Sequence, residues 1–180
     1  MNSSDSGEQA EVVALIGAPY SGKSTVASLL AADLGWQLYD TDEMVKERAG
    51  GSIGDVYIDG GEAHYRELES QAAQEALGGA MAVVALGSGA PSNELVAPLL
   101  QRPTVVWLKV SAAQSGKRAG LHAPRPASLG NLRSQWSRML REREVLYESL
   151  ADLTIDADTL DPETIASQIV EELNLSGSAS

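Results

Sequence analysis

Short apolar runs alternate with segments of helical periodicity along most of the chain. Five runs are continuous enough to predict strands: EVVALIG, WQLYD, MAVVALG, TVVWLKV and LTID. Continuous apolar runs bounded by polar segments are typical of strands that are covered on both faces. Because helical patterns separate the runs, consecutive strands are expected to be parallel and joined by crossover helices. The pattern therefore predicts an α/β fold with one parallel sheet.

The segments between the predicted strands have the spacing of amphipathic helices. The predicted helices run from Ser24 to about Leu34, from Thr41 to Gly50, from Gly61 to Gly78 and from about Asn131 to Leu150. A last helix is expected after Asp161, a good N-cap residue, with Pro162 in the first helical position. In such folds ligands bind where the carboxyl ends of the strands meet, so the loops that follow the strands are the places to search for a site.

Length and composition suit one globular domain. The chain has 180 residues, of which 43% are apolar and 21% charged, and it has no cysteine. We expect a single domain over residues 10–175, with disordered tails at 1–9 and 176–180. The polar, acidic N-terminus does not resemble a signal peptide, and no apolar run approaches the roughly 20 residues of a membrane span, so a cytoplasmic location is expected.

The charge is negative overall but unevenly distributed. A net charge of −12 argues against broad nucleic-acid binding. Nine of the thirteen Lys and Arg residues nevertheless lie between Arg102 and Arg143, with Glu142 as the one acid among them. Two interpretations remain open: a local anionic ligand, or a solvated helix face whose partners lie elsewhere in the fold.

The loop after the first strand carries the most specific motif. Gly17-Ala-Pro-Tyr-Ser-Gly22-Lys23-Ser24 fits G-x-x-x-x-G-K-[ST], with a predicted strand before it and a helix after it. An ordinary glycine turn would account for the glycines but not for the lysine and serine at the helix start. Such a loop surrounds phosphates with backbone N–H groups, while the lysine adds a full positive charge and the serine hydroxyl binds Mg²⁺. The predicted nucleotide-binding residues here are Gly17, Ser21, Gly22, Lys23, Ser24 and Thr25.

The position of the acidic residues favours phosphoryl transfer over a switch or a motor. In motors and switches an acid at a strand end usually holds Mg²⁺, but the third predicted strand ends in ALGSGA. The acids lie instead after the second strand, as Asp40 and Asp42. A chain this short also has little room for a mechanical domain, so a kinase acting on a small molecule is the better interpretation.

Taken together, the motifs resemble those of the shikimate kinase family. The stretches GAPYSGKST, DTD, SIGDVYIDGGEAHYRELE, GSGA, VVWLKVS, RP and REREVLYESLAD occur in that family's order and spacing, from about Val12 to Leu173. The resemblance implies a three-layer P-loop kinase fold with strand order 2-3-1-4-5 and a lid at about residues 117–129. It also implies a cytoplasmic monomer that uses ATP and Mg²⁺ to phosphorylate the 3-hydroxyl of shikimate, in the chorismate route to aromatic amino acids.

The resemblance adds to the nucleotide-site roles that the loop motif implies. Lys23 is expected to neutralise charge in the transition state, together with the lid residue Arg125 in the PRP stretch. Arg118, just before the lid, is expected to contact the nucleotide. The resemblance places Ser24 and Asp40 at the Mg²⁺ ion, with Asp40 acting through water.

The resemblance also implies an acceptor site. Asp42 would orient or deprotonate the attacking hydroxyl, and Arg66 and Arg143 would bind the carboxylate of shikimate, for which planar guanidinium groups are well suited. The segment expected to complete the acceptor site is Gly87, Ser88 and Gly89.

Each of these side chains also has a purely structural alternative. The two aspartates stand at a predicted helix start, the first as an N-cap and the second in a turn where the helix dipole favours acids. Arg66 could pair with Glu62 or Glu69 on an exposed helix, and Arg143 lies in a charged stretch typical of a surface.

The chain departs from the family pattern at a few uncharged positions. Tyr20 and Ser88 stand where the family has glycine, Tyr65 stands for phenylalanine, and Ala127 and Ser128 replace two lid leucines. Two alternatives therefore stay open: a related kinase for another small hydroxy acid, or a nucleotide-binding module with weak or lost transfer.

Overall fold

The computed structural model describes residues 11–120 and 132–177. The strands are β1 (Val12–Ile16), β2 (Gln37–Asp40), β3 (Ala82–Ala85), β4 (Thr104–Lys109) and β5 (Leu153–Asp156). The helices are α1 (Lys23–Leu34), α2 (Thr41–Ala49), α3 (Ile53–Leu77), α4 (Ala112–Arg118), α5 (Leu132–Leu150) and α6 (Pro162–Leu173). Two short 3₁₀ turns, Ala90–Ser92 and Ala97–Gln101, connect β3 to β4.

The five strands form one parallel sheet in the order β2-β3-β1-β4-β5. This confirms the predicted strand number, direction and order. Because β1 lies in the centre and the chain turns to β3 on one side and β4 on the other, the loop after β1 stands where the strand order reverses. A crevice forms at such a point, so the fold places the predicted phosphate loop where a ligand can enter.

Alternation along the central strand supplies a hydrophobic core on each face of the sheet. Val13 and Leu15 of β1 pack toward α1 and α6, whereas Ala14 and Ile16 pack toward the face that α3 and α5 cover. All four side chains are buried. Burial on both faces explains why the strand is a continuous apolar run rather than an alternating one.

Two helical segments extend beyond the prediction. α3 begins at Ile53 rather than Gly61, because Ser52 and Asp55 form a capping box that starts the helix eight residues earlier. At the predicted start the helix is interrupted, because Gly61 has φ 73° and ψ −178°, which are not helical values. The sequence pattern does not predict α4, which is capped by the Ser111 side chain; this side chain accepts a hydrogen bond from the backbone N–H of Gln114.

Parts of the predicted organisation lie outside the described residues. These are the N-terminal tail, residues 178–180 of the predicted C-terminal tail, most of the predicted lid and Arg125 within it. The first two residues of the predicted lid segment, Lys117 and Arg118, form the end of α4. Within residues 11–120 and 132–177, no helix is both long and apolar enough to cross a membrane.

Candidate active site

A cavity of about 480 Å³ opens at the carboxyl edge of the sheet. It joins the phosphate loop to the residues that follow β2 and β3. Its lining consists of Pro19, Tyr20, Ser21, Gly22, Lys23, Ser24, Thr25, Asp40, Asp42, Lys46, Ala85, Leu86 and Ser88. The structure thus brings into one cavity most of the phosphate-loop residues predicted to bind nucleotide, both aspartates and Ser88.

The phosphate loop holds a buried lysine at the start of α1. The Lys23 ammonium donates hydrogen bonds to the carbonyl oxygens of Gly17 at 2.9 Å and Ala18 at 3.0 Å. Burial lowers the pKa of Lys23 to about 8, although the nearby carboxylates of Asp42 and Asp40 oppose this shift. Gly22 caps α1 without a side-chain acceptor, which leaves the first-turn N–H groups free to bind an anion.

Ser24 and Asp40 are in direct contact at the edge of this loop. The Ser24 hydroxyl donates to Asp40 Oδ2 at 2.5 Å, while Asp40 Oδ1 accepts from the backbone N–H groups of Asp42 and Glu43. Asp40 is therefore the N-cap of α2 and a neighbour of Ser24 at the same time. Two hard oxygen donors beside a phosphate loop fit Mg²⁺, which takes its other ligands from water and phosphate.

Asp42 lies against the backbone of Gly87. A β-carbon at Gly87 would stand 2.5 Å from Asp42 Oδ1, so a glycine is required for this approach. The Gly87 N–H also donates to Thr41 Oγ1 at 2.9 Å, which ties the start of α2 to the end of β3. Burial raises the pKa of the Asp42 carboxyl, and the Asp40 charge adds to this rise while Lys23 opposes it. A raised pKa makes this carboxylate a stronger base.

Arg66 and Arg143 converge on one point although they come from different helices. A β-carbon at Gly89 would lie 3.3 Å from Arg66 Nη1 and 3.7 Å from Arg143 Nη2. Arg66 Nη1 also lies 3.4 Å from the Gly89 carbonyl oxygen, to which it donates. The absence of a side chain at Gly89 thus leaves a gap between two planar cations, and a carboxylate is the group that such a pair binds best.

Arg66 also forms the two ion pairs that its helical spacing from Glu62 and Glu69 predicts. Its Nη1 donates to Glu69 Oε2 at 2.9 Å, and its Nε lies 3.6 Å from Glu62 Oε1. The two carboxylates differ in burial, because the Glu69 side chain is 1% exposed and that of Glu62 is 72% exposed. Arg66 therefore forms the ion pairs of a structural residue and also lies at the gap over Gly89.

Sequence reasoning missed the buried polar network behind Arg66. Glu69 also accepts hydrogen bonds from the Tyr65 hydroxyl at 3.2 Å and from Asn93 Nδ2 at 3.0 Å. Tyr57 stacks on Tyr65, with ring centroids 4.7 Å apart. The spacing of Glu69 from Arg66 was the available signal for the pair, but nothing in the sequence marked Asn93 as its partner.

Two side chains of α4 donate hydrogen bonds to the phosphate loop. Arg118 donates to the carbonyl oxygens of Tyr20 at 3.1 Å and Ala157 at 3.2 Å, and the Ser115 hydroxyl donates to that of Pro19 at 2.8 Å. Tyr20 adopts a φ of 61°, in the left-handed region, and its ring lies 6.2 Å from that of Trp136 on α5. Arg118 thus lies at the loop, as a nucleotide contact requires.

Comparison with known proteins gives a consistent match over nearly the whole chain. The family model for shikimate kinase matches residues 19–174. A shikimate kinase of Thermobifida fusca is 43% identical over 163 residues, which cover 91% of this chain and 95% of that protein. A shikimate kinase of Moorella thermoacetica is 40% identical over 162 residues, covering 89% and 93%.

Solved structures show the same similarity in three dimensions. Shikimate kinase from Acinetobacter baumannii in complex with shikimate superposes with a TM-score of 0.83 at 26% identity, covering 93% of this chain and 94% of that one. Shikimate kinase from Aquifex aeolicus superposes with a TM-score of 0.76 at 28% identity, covering 91% and 96%.

Proposed function

The chain belongs to the shikimate kinase family, and we propose that it transfers the γ-phosphoryl group of ATP to the 3-hydroxyl of shikimate. The observation that carries this proposal is the convergence of Arg66 and Arg143 over Gly89, beside the cavity that holds Lys23 and Asp42. That arrangement joins a site for a triphosphate to a site for a small carboxylic acid.

The nucleotide end of the site would work by charge neutralisation and positioning. The loop amides and the Lys23 ammonium hold the β- and γ-phosphates, and Arg118 supports the nucleotide from α4. Ser24 and Asp40 would hold Mg²⁺, which supplies further positive charge to the transferring phosphoryl group when it is bound. Arg125, outside the described residues, stays a predicted contact to the phosphates.

The acceptor end would bind shikimate by its carboxylate and present a hydroxyl to the nucleotide. Arg66 and Arg143 bind the carboxylate, while Asp42 accepts the proton of the attacking hydroxyl. The hydroxyl oxygen forms a bond to the γ-phosphorus as the bond from that phosphorus to the bridging oxygen breaks, and ADP leaves with the electron pair. The raised pKa of Asp42 suits this exchange, since the proton must be taken up and later released.

We also propose that the enzyme is a monomer in the cytoplasm. The described groups assigned to both substrates come from one chain, so no second copy is needed to complete the proposed site. Light scattering after size-exclusion chromatography should give a mass near 18.9 kDa; a stable dimer would contradict the monomer.

The direct test is a coupled assay for ADP formation with Mg²⁺ and ATP. Turnover should require shikimate. Faster turnover with quinate or gluconate would favour a kinase for another hydroxy acid, and ATP binding without acceptor-dependent turnover would favour a nucleotide-binding module.

A substitution on α5 tests the acceptor assignment. Arg143→Ala should raise the KM for shikimate roughly 30-fold or more, because charged hydrogen bonds to the carboxylate are lost, and leave the KM for ATP within about twofold. Arg141→Ala, on the same helix and exposed, is the matched control and should change neither value. An equal rise of both KM values in Arg143→Ala would contradict the assigned role.

A further inference from the structure

Ser88 binds two side chains of the same helix. Its hydroxyl oxygen accepts a hydrogen bond from Arg143 Nη1 at 3.2 Å, and its carbonyl oxygen accepts one from the Tyr147 hydroxyl at 2.6 Å. Arg143 and Tyr147 are four residues apart, so they project from the same face of α5. The loop after β3 is thus joined to α5 through one residue, by a side-chain contact and by a backbone contact.

The two arginines over Gly89 are restrained in different ways. Arg66 is held by the buried carboxylate of Glu69 and by the exposed carboxylate of Glu62. Arg143, in contrast, has no carboxylate within ion-pairing distance among residues 11–120 and 132–177. The Ser88 hydroxyl therefore restrains the Arg143 guanidinium by a hydrogen bond, as Glu69 restrains Arg66. Unlike Glu69, Ser88 does not neutralise the positive charge.

We propose that Ser88 is a positioning residue that orients the Arg143 guanidinium for the acceptor carboxylate before the acceptor binds. This inference rests on the proposed function. An arginine side chain loses rotamer freedom when it binds a ligand, and a contact made already in the free protein removes part of that loss from binding. One of the five guanidinium N–H groups faces Ser88, and the Tyr147 hydroxyl also makes a hydrogen-bonding contact with this side chain, so the remaining N–H groups are available to the ligand.

The role predicts an effect on acceptor KM alone. Ser88→Ala removes the hydroxyl and keeps the carbonyl that Tyr147 contacts, so the loop stays joined to α5. We expect the KM for shikimate to rise about three- to tenfold, with kcat and the KM for ATP within about twofold of wild type. Ser92→Ala, on the same loop and exposed, is the control and should match wild type. Ser88→Thr keeps a hydroxyl and should give a KM closer to wild type than Ser88→Ala does.

A double-mutant cycle separates this role from a general effect on the loop. In an Arg143→Ala background, Ser88→Ala should no longer lower kcat/KM for shikimate, because the group that it positions is gone. An equal effect in both backgrounds, or an unchanged or lower KM in Ser88→Ala alone, would overturn the positioning role while the enzyme still phosphorylates shikimate. A wild-type protein without shikimate-dependent turnover would instead overturn the proposed function and this inference together.

Discussion

Replacing the buried carboxylate behind Arg66 should destabilise the fold far more than replacing the exposed one. Glu69 accepts hydrogen bonds from Arg66, Asn93 and Tyr65 at 2.9, 3.0 and 3.2 Å. Glu69→Ala leaves all three donors without this acceptor in a region with little access to water. An exposed carboxylate can be replaced by water, whereas a buried one cannot.

The structure gives a magnitude for the loss. Three hydrogen bonds to a carboxylate are lost, and two of the donors, on Tyr65 and Asn93, stay buried while Arg66 is 29% exposed. Together these losses correspond to roughly 3–5 kcal/mol of unfolding free energy. For a chain of this size, about 2–4 °C of melting temperature corresponds to 1 kcal/mol, so the melting temperature should fall by roughly 6–20 °C. The KM for shikimate should rise as well, since Arg66 loses the partner that orients it.

Glu62→Ala is the matched control, because Glu62 pairs with the same arginine from the exposed side of α3 at 3.6 Å. An exposed ion pair of this kind is worth at most about 1 kcal/mol. Urea denaturation and thermal melting of both variants would measure the difference. A loss below about 1 kcal/mol in Glu69→Ala, or equal losses in the two variants, would refute the assignment of Glu69 as the support of Arg66.

Two further predictions concern the reacting groups. Since burial lowers the pKa of Lys23 to about 8, the free enzyme loses this positive charge as pH rises through that value, and kcat/KM for ATP should fall by about tenfold per pH unit above it. A flat profile to about pH 9.5 would contradict the lowered pKa of Lys23. Asp42→Asn should lower kcat about 100-fold or more with little change in the KM for ATP, and a loss of only a few-fold would mean that Asp42 orients the hydroxyl without deprotonating it.

Much of the fold was predictable because parallel strands that are buried on both faces leave a strong pattern. Val12–Ile16 is apolar at every position, and the glycines and lysine that follow it match a motif specific to phosphate binding. The pattern sets the more polar β2 and β5 apart from the buried strands, but it does not say how the buried strands are ordered. The order came from the family resemblance.

The early start of α3 was missed for a physical reason. Residues 53–60 include two glycines and several β-branched residues, which have low helix propensity. The Ser52–Asp55 capping box and the packing of Val56 in the core stabilise the segment nonetheless. Tertiary contacts such as that of Val56 do not show in a local pattern.

The structural and functional interpretations of the polar residues are not alternatives in this protein, because the structural contact fixes the side chain in the position from which it faces the site. Asp40 caps α2 with Oδ1, and this fixes the side chain so that Oδ2 meets Ser24. Arg66 Nη1 donates to Glu69 and is also the atom that lies at the gap over Gly89, so the ion pair holds the guanidinium at the gap. The spacings that predicted a helix cap and a helical ion pair therefore describe how the site is oriented, and the sequence could not show which atoms face the site.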